Sequence, residues 1–119
     1  MNRRADILQA LVRFETPPEP LLRELRTFPW DWDGEPLLVL RREHLFRVIG
    51  RFLSGELSAT QLESWAENLE CREDVAFDPA DESLLDDVFF RLANPFINEP
   101  LTKDMVARMR AELAAAPRA

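Results

Sequence analysis

The residue types that usually carry catalysis or bind metals do not occur here at the spacings such chemistry needs. His44 is the only histidine, and Glu43 stands beside it. No further ligands follow at the regular spacing of a zinc site, and no serine, threonine or cysteine lies in a motif that pairs it with a base. Phosphate-binding glycine loops are also absent. We therefore interpret His44 as a partly buried structural residue and predict a protein that is not an enzyme and uses no cofactor.

The segment from Asp31 to Glu35 resembles a cation-binding loop in composition only. If Gly34 were the sixth residue of a calcium-binding EF-hand loop, the first would be Pro29 and the twelfth Leu40. Neither residue offers a side-chain oxygen to a cation. We predict that this segment is a turn whose aspartates cap backbone amides, with no metal site.

Tryptophan and cysteine usage adds two expectations. Trp30 and Trp32 flank an aspartate in an irregular linker, and either packing onto the end of the fold or anchoring a partner would explain them. The single cysteine, Cys71, excludes an internal disulfide framework and fits a reducing compartment. The apolar stretch near the N-terminus is too short and too charged for an export signal, and no run reaches the length of a bilayer span. We expect a cytoplasmic protein without membrane contact.

The distribution of charge is the most informative feature of the chain. Between Glu56 and Asp87, eleven acidic residues face one base, Arg72, so this block has a net charge of −10, whereas the whole chain has −7. The segments before and after the block are slightly basic. A field of one sign concentrated on one region steers association with a partner of opposite sign. Net charge therefore disfavours nucleic-acid binding and favours a basic protein partner.

Three of these acidic residues, Glu63, Glu67 and Glu70, have helical spacing with no bases to offset them. Like charges four residues apart on a helix cost roughly 0.2–0.5 kcal/mol each. A solvated helix face and a functional acidic surface both remain open. In the functional interpretation, the three residues form one exposed stripe that continues through two neighbours and lies close to a second acidic helix. The candidate partner-binding residues are Glu63, Glu67, Glu70, Glu73, Asp74, Asp78, Glu82 and Asp86.

Apolar periodicity predicts an all-α fold in one domain over residues 1–119. We expect an antiparallel helical bundle of four main helices with one or two short N-terminal helices. The predicted helices cover residues 2–14, 20–26, 41–54, 59–70, a segment from Asp78 to residue 93, and a last segment after Thr102. Arg42 and Arg47 should lie outside the apolar stripe of the third helix. Residues 37–40 are either a short strand or the lead-in to that helix.

The turn before Ser58 carries a resemblance to a known family. Residues 51–65 read RFLSGELSATQLESW, which is similar to the F-L-x-G-x-[IL]-S-x-x-x-[FL] helix–turn–helix signature of small bacterial proteins related to the colicin D immunity group. Trp65-Ala66 and Leu92-Ala93-Asn94-Pro95 are further landmarks. The resemblance implies antiparallel helices whose acidic residues occupy the basic substrate site of a nuclease toxin. It assigns no individual inhibitory residue in this chain.

A second class of function is a non-catalytic subunit or adaptor of a larger assembly. Such a protein would present an apolar surface to its neighbours. Four large apolar residues lie off the predicted core stripes and would form that surface: Phe46, Phe90, Phe96 and Ile97.

Overall fold

The computed structural model describes residues 3–14, 18–28, 35–70, 72 and 74–117. In these ranges the chain is mostly helical, as predicted, and also contains one small sheet. The elements are α1 (Arg3–Arg13), α2 (Pro18–Leu25), β1 (Leu38–Leu40), α3 (Arg42–Leu53), α4 (Ala59–Leu69), β2 (Val75–Phe77), a 3-10 turn (Pro79–Asp81), α5 (Glu82–Ala93) and α6 (Lys103–Ala115).

The sheet resolves the alternative left open for residues 37–40 in favour of a strand. β1 and β2 pair in parallel, with Leu38 opposite Val75 and Leu40 opposite Phe77. Parallel strands need a long crossover, and the α3–α4 helical hairpin supplies it. Because strand pairing depends on a partner about 37 residues further along the chain, local periodicity carries no signal for it.

Side-chain caps fix the starts of α4 and α6. The Ser58 hydroxyl accepts a hydrogen bond from the Gln61 amide at 3.1 Å, and the Gln61 side chain accepts one from the Ser58 amide at 2.8 Å. Gly55 ends the preceding turn with φ +88°, a conformation that glycine adopts without steric cost. At α6, the Thr102 hydroxyl accepts from the Met105 amide at 3.1 Å. These caps confirm the predicted starts of α4 and α6.

The core is one contiguous cluster built from the predicted stripes. Trp65 of α4 lies fully inside it and stacks on Phe89 of α5, with ring centroids 5.2 Å apart. The Trp65 indole N–H donates to the Val12 carbonyl at 3.1 Å, which satisfies a polar group that would otherwise be costly to bury. This one side chain therefore joins α1, α4 and α5.

The predicted position of Arg42 outside the core is wrong. Arg42 is buried at the start of α3, where its guanidinium donates two hydrogen bonds to Asp81, at 2.8 and 2.7 Å. It also donates to the carbonyls of Leu113 and Ala116 at the end of α6. A guanidinium fork matches a carboxylate in this bidentate way and still has donors for carbonyls. Asp81 is correspondingly buried in the 3-10 turn instead of lying in a solvated first turn of α5.

Replacing Asp81 by alanine should destabilise the protein by about 3–5 kcal/mol, because the change leaves a buried cation without its counter-ion. The matched control is Asp87→Ala, which removes an exposed carboxylate on α5 that lies 3.5 Å from Arg91 and should cost less than about 1 kcal/mol. Urea denaturation of both variants measures the difference. Equal free energies of unfolding for the two variants would contradict the structural role of Asp81.

Candidate protein-binding surface

The α4–α5 hairpin positions most of the acidic candidates. The two helices run antiparallel: Glu70 at the end of α4 lies close enough to Asp86 of α5 to feel its charge, and Glu63 near the start of α4 borders Phe96 just beyond α5. Burial of Trp65 and Phe89 between the helices turns the charged positions outward. We call the set Glu63, Glu67, Glu70, Glu82 and Asp86 the acidic ridge.

The acidic ridge is exposed in part, and like charges lie close together around Glu70. Glu67, Glu82 and Asp86 are exposed, whereas Glu63 and Glu70 are half-buried, so the predicted stripe is exposed only in part. Burial, followed by the charges of Asp86 and Glu67, raises the pKa of the Glu70 carboxyl above its ordinary value. Within the part of the chain that the structure describes, none of the five carboxylates forms an ion pair.

Asp74 does not belong to this surface, and its predicted exposure is wrong. Its side chain is only 1% exposed and lies between two arginines. Arg4 donates to it at 2.8 Å, and Arg72 donates two hydrogen bonds at 2.9 Å. Burial disfavours the charged carboxylate, but the hydrogen bonds from Arg72 and Arg4 outweigh it and hold the pKa of Asp74 below its ordinary value. Asp74 therefore has a structural role that joins α1 to the start of β2. Glu73 lies outside the described residues.

Asp78 faces a different part of the molecule. Its carboxylate accepts a hydrogen bond from the Ala80 amide at 3.1 Å and lies 3.9 Å from the Arg41 guanidinium. It lines a cleft of about 360 Å³ together with Arg41, Glu43 and His44. Asp78 therefore lies beside the start of α3 and not among the carboxylates of α4.

His44 in this cleft has the structural role that its isolation in the sequence predicts. The imidazole Nδ1 accepts a hydrogen bond from the Arg41 amide at 3.0 Å, which satisfies an amide at the start of α3. Burial and then the Arg41 charge lower the pKa of His44, which favours the neutral ring that accepts this hydrogen bond. Among the described residues, no three histidine, cysteine or acidic side chains are grouped to hold a metal ion.

An apolar groove adjoins the acidic ridge. Phe96 is 84% exposed, Ile97 59% and Phe90 43%, whereas Phe46 packs half-buried against the core. Three of the four residues predicted for an apolar surface are therefore exposed, and Phe46 is not. Among the described residues, Phe96 lines a groove of about 290 Å³ together with Ala59, Thr60, Glu63, Pro95, Pro100 and Leu101. The groove has no local signal in the sequence, because its walls come from two segments about 35 residues apart.

Some predicted features lie outside the described residues. They are the turn over residues 31–34, the tryptophans Trp30 and Trp32, and the cysteine Cys71. No helix in the described ranges has both the length and the apolar character to cross a membrane. Comparisons with protein-family models, curated proteins and solved structures return no match to this chain.

The raised pKa of Glu70 leads to a pH-dependent prediction. The native state binds this proton more readily than the unfolded state, so Glu70 favours the native state most at low pH and disfavours it once ionised. Glu70→Gln should therefore be more stable than the wild type at pH 7, by about 0.2–0.5 kcal/mol. The advantage should disappear as the pH falls through the ordinary range of a glutamate.

Thermal unfolding of both proteins between pH 3 and pH 7 measures this difference. Glu56→Gln is the control, because Glu56 pairs with Arg51 and its neutralisation should not stabilise the protein at pH 7. A Glu70→Gln variant that is less stable than the wild type at pH 7 would show that the repulsion is absent.

Proposed function

We propose that this protein is a small, non-catalytic protein-binding domain that receives a basic surface of its partner on the acidic ridge. The supporting observation is the division of the acidic block into paired and unpaired members. Asp74 and Asp81 are buried against arginines, and Asp87 lies near Arg91. The five ridge carboxylates have no such partner among the described residues, and a basic protein would supply the missing counter-charges.

The repulsion around Glu70 supports the same proposal. An ionised Glu70 raises the free energy of the unbound protein, because the carboxylate is partly buried and because its charge lies near those of Asp86 and Glu67. A cation placed between these carboxylates would remove that cost on binding. Charge complementarity of this kind mainly accelerates association and selects the partner.

A nuclease toxin is the partner class that the resemblance to the colicin D immunity group implies, and we include immunity-type inhibition in the proposal. A nuclease substrate site carries positive charge to bind phosphates, so it offers the surface that the ridge requires. In the structure, the residues of the resemblance form the α3–α4 turn, with Leu57 and Leu62 buried around the capped Ser58. We further propose that the protein meets this partner in the cytoplasm. We also propose that its four main helices form an antiparallel bundle.

A subunit or adaptor of a larger assembly is the second candidate function. Its support is the exposure of Phe96, Ile97 and Phe90, because an interface with other subunits needs large apolar side chains that the fold leaves uncovered. This candidate needs an apolar partner surface, whereas the first needs a basic one.

The test of the first candidate reverses charge on α4. The variant Glu63→Lys/Glu67→Lys/Glu70→Lys should associate at least about tenfold more slowly with a basic partner recovered by cross-linking, because steering is lost. Wild-type association should slow steeply between 20 mM and about 150 mM salt, as the Debye length shortens to about 8 Å. Stopped-flow or surface-plasmon kinetics measure both effects.

The control for this test makes the same change in net charge elsewhere. Glu19, Glu35 and Asp104 are exposed and lie outside the ridge, so Glu19→Lys/Glu35→Lys/Asp104→Lys should keep most of the association rate. If both triple variants slow association equally, the location of the charge is irrelevant. If neither slows it, the ridge is only a solvated helix face.

A further inference from the structure

The apolar groove lies at one end of the acidic ridge, and Glu63 belongs to both. Ala59 and Thr60, from the first turn of α4, form one wall, and Pro95 and Phe96, from the α5–α6 connection, form the other. From Glu63, the α4 carboxylates continue away from the groove for about 10 Å, given the rise of 1.5 Å per residue. An apolar site and a line of negative charge therefore form one continuous surface.

The α5–α6 connection is held in a defined shape, so the exposure of Phe96 is a feature of the folded structure. The Asn94 side chain donates to the Phe90 carbonyl, and the Asn98 side chain donates to the Asn94 carbonyl, both at 2.9 Å. The Ile97 amide also donates to the Asn94 carbonyl at 3.3 Å. A groove wall fixed in advance reduces the ordering cost of binding.

The charge beside the groove identifies its occupant. On the two helices that the α5–α6 connection joins, Arg91 pairs with Glu112 at 3.0 Å and Arg108 pairs with Glu99, so these two bases already have acidic partners. Glu63 and the other ridge carboxylates are unpaired among the described residues. A second copy of the chain, docked by two-fold symmetry, would bring like-charged ridges towards each other. The unpaired charge therefore fits a segment that carries bases beside one large apolar side chain.

We infer that the groove binds an apolar anchor residue of a basic segment in the partner protein, while the acidic ridge binds the basic residues next to that anchor. This inference rests on the proposed function and adds a second determinant to it. Buried anchors lower the dissociation rate, whereas exposed charges mainly raise the association rate. The two parts of the surface should therefore affect different rate constants.

A peptide selection tests this inference without a known partner. The probe is a phage-displayed library of random 16-residue peptides, selected on the wild-type protein at 50 mM salt. We expect enriched peptides to contain several lysines or arginines and one conserved aromatic or leucine position. The strongest peptide, synthesised and fluorescently labelled, then serves as ligand for all variants.

The decisive comparison is Phe96→Ser against Ile97→Ser. Both residues are exposed on the same connection, so neither change should unfold the protein, but only Phe96 lines the groove. Phe96→Ser should weaken peptide binding at least about tenfold through faster dissociation, because the anchor of the peptide loses the aromatic wall against which it packs. Ile97→Ser should change it less than about threefold.

The outcomes separate the anchor from the ridge. Basic peptides that respond to the triple Glu→Lys variant but not to Phe96→Ser would overturn the anchor and leave the ridge supported. Apolar peptides without bases, dependent on Phe96 alone, would overturn the proposed function. Equal losses for Phe96→Ser and Ile97→Ser, or no enriched peptide, would overturn the groove as an anchor site. A wild-type dimer that Phe96→Ser converts to monomers would assign the groove to a second copy and overturn the inference.

Discussion

The buried ion pair between Arg42 and Asp81 is the interaction on which the arrangement of the helices most depends. It brings together the start of α3, the 3-10 turn before α5 and the last carbonyls of α6. Burying two charges is costly, and a hydrophobic pair of similar volume is often as stable. The advantage of the ionic pair lies in its directionality. The five N–H donors of a guanidinium lie at fixed angles, so they match only one arrangement of carboxylate and carbonyl acceptors.

A second buried ion pair, between Arg4 and Asp74, joins α1 to the start of β2. Arg4 of α1 binds Asp74 just before β2 and also lies over the Phe28 ring, with 5.8 Å between its Cζ atom and the ring centroid. Both pairs join an arginine that precedes the acidic block to an aspartate within the block. Part of the charge imbalance in the sequence is therefore a folding device, and the remainder is what the protein presents to its surroundings.

Sequence reasoning succeeded where the signal is local and failed where it depends on distant partners. Ser58 with Gln61, and Thr102 with the residues after it, are read from neighbouring positions, so the starts of α4 and α6 were predictable. Arg42 stands three residues before Leu45, in register with the apolar stripe, and a charge at a core position was a signal that could have been used. Its partner lies 39 residues away, however, and nothing near Asp81 or Asp74 distinguishes a buried carboxylate from a solvated one. The acidic ridge was predictable in part because Glu63, Glu67 and Glu70 share one helix.

The costs that remain in the folded protein are concentrated on one surface. Ionised carboxylates around Glu70 repel one another, and Phe96 gains nothing from the core although it is one of the largest apolar side chains. Each cost is small compared with the free energy of folding, so chance could permit either alone. Glu63 belongs to both the acidic ridge and the groove that Phe96 lines. The neighbouring α5–α6 connection is held in shape by hydrogen bonds. A binding surface needs charge that the fold leaves unpaired and apolar area that the fold leaves uncovered. Both conditions meet beside Glu63, which is the physical reason why we propose this surface for binding instead of the His44 cleft, where Asp78 and the Nδ1 atom of the histidine already serve as caps.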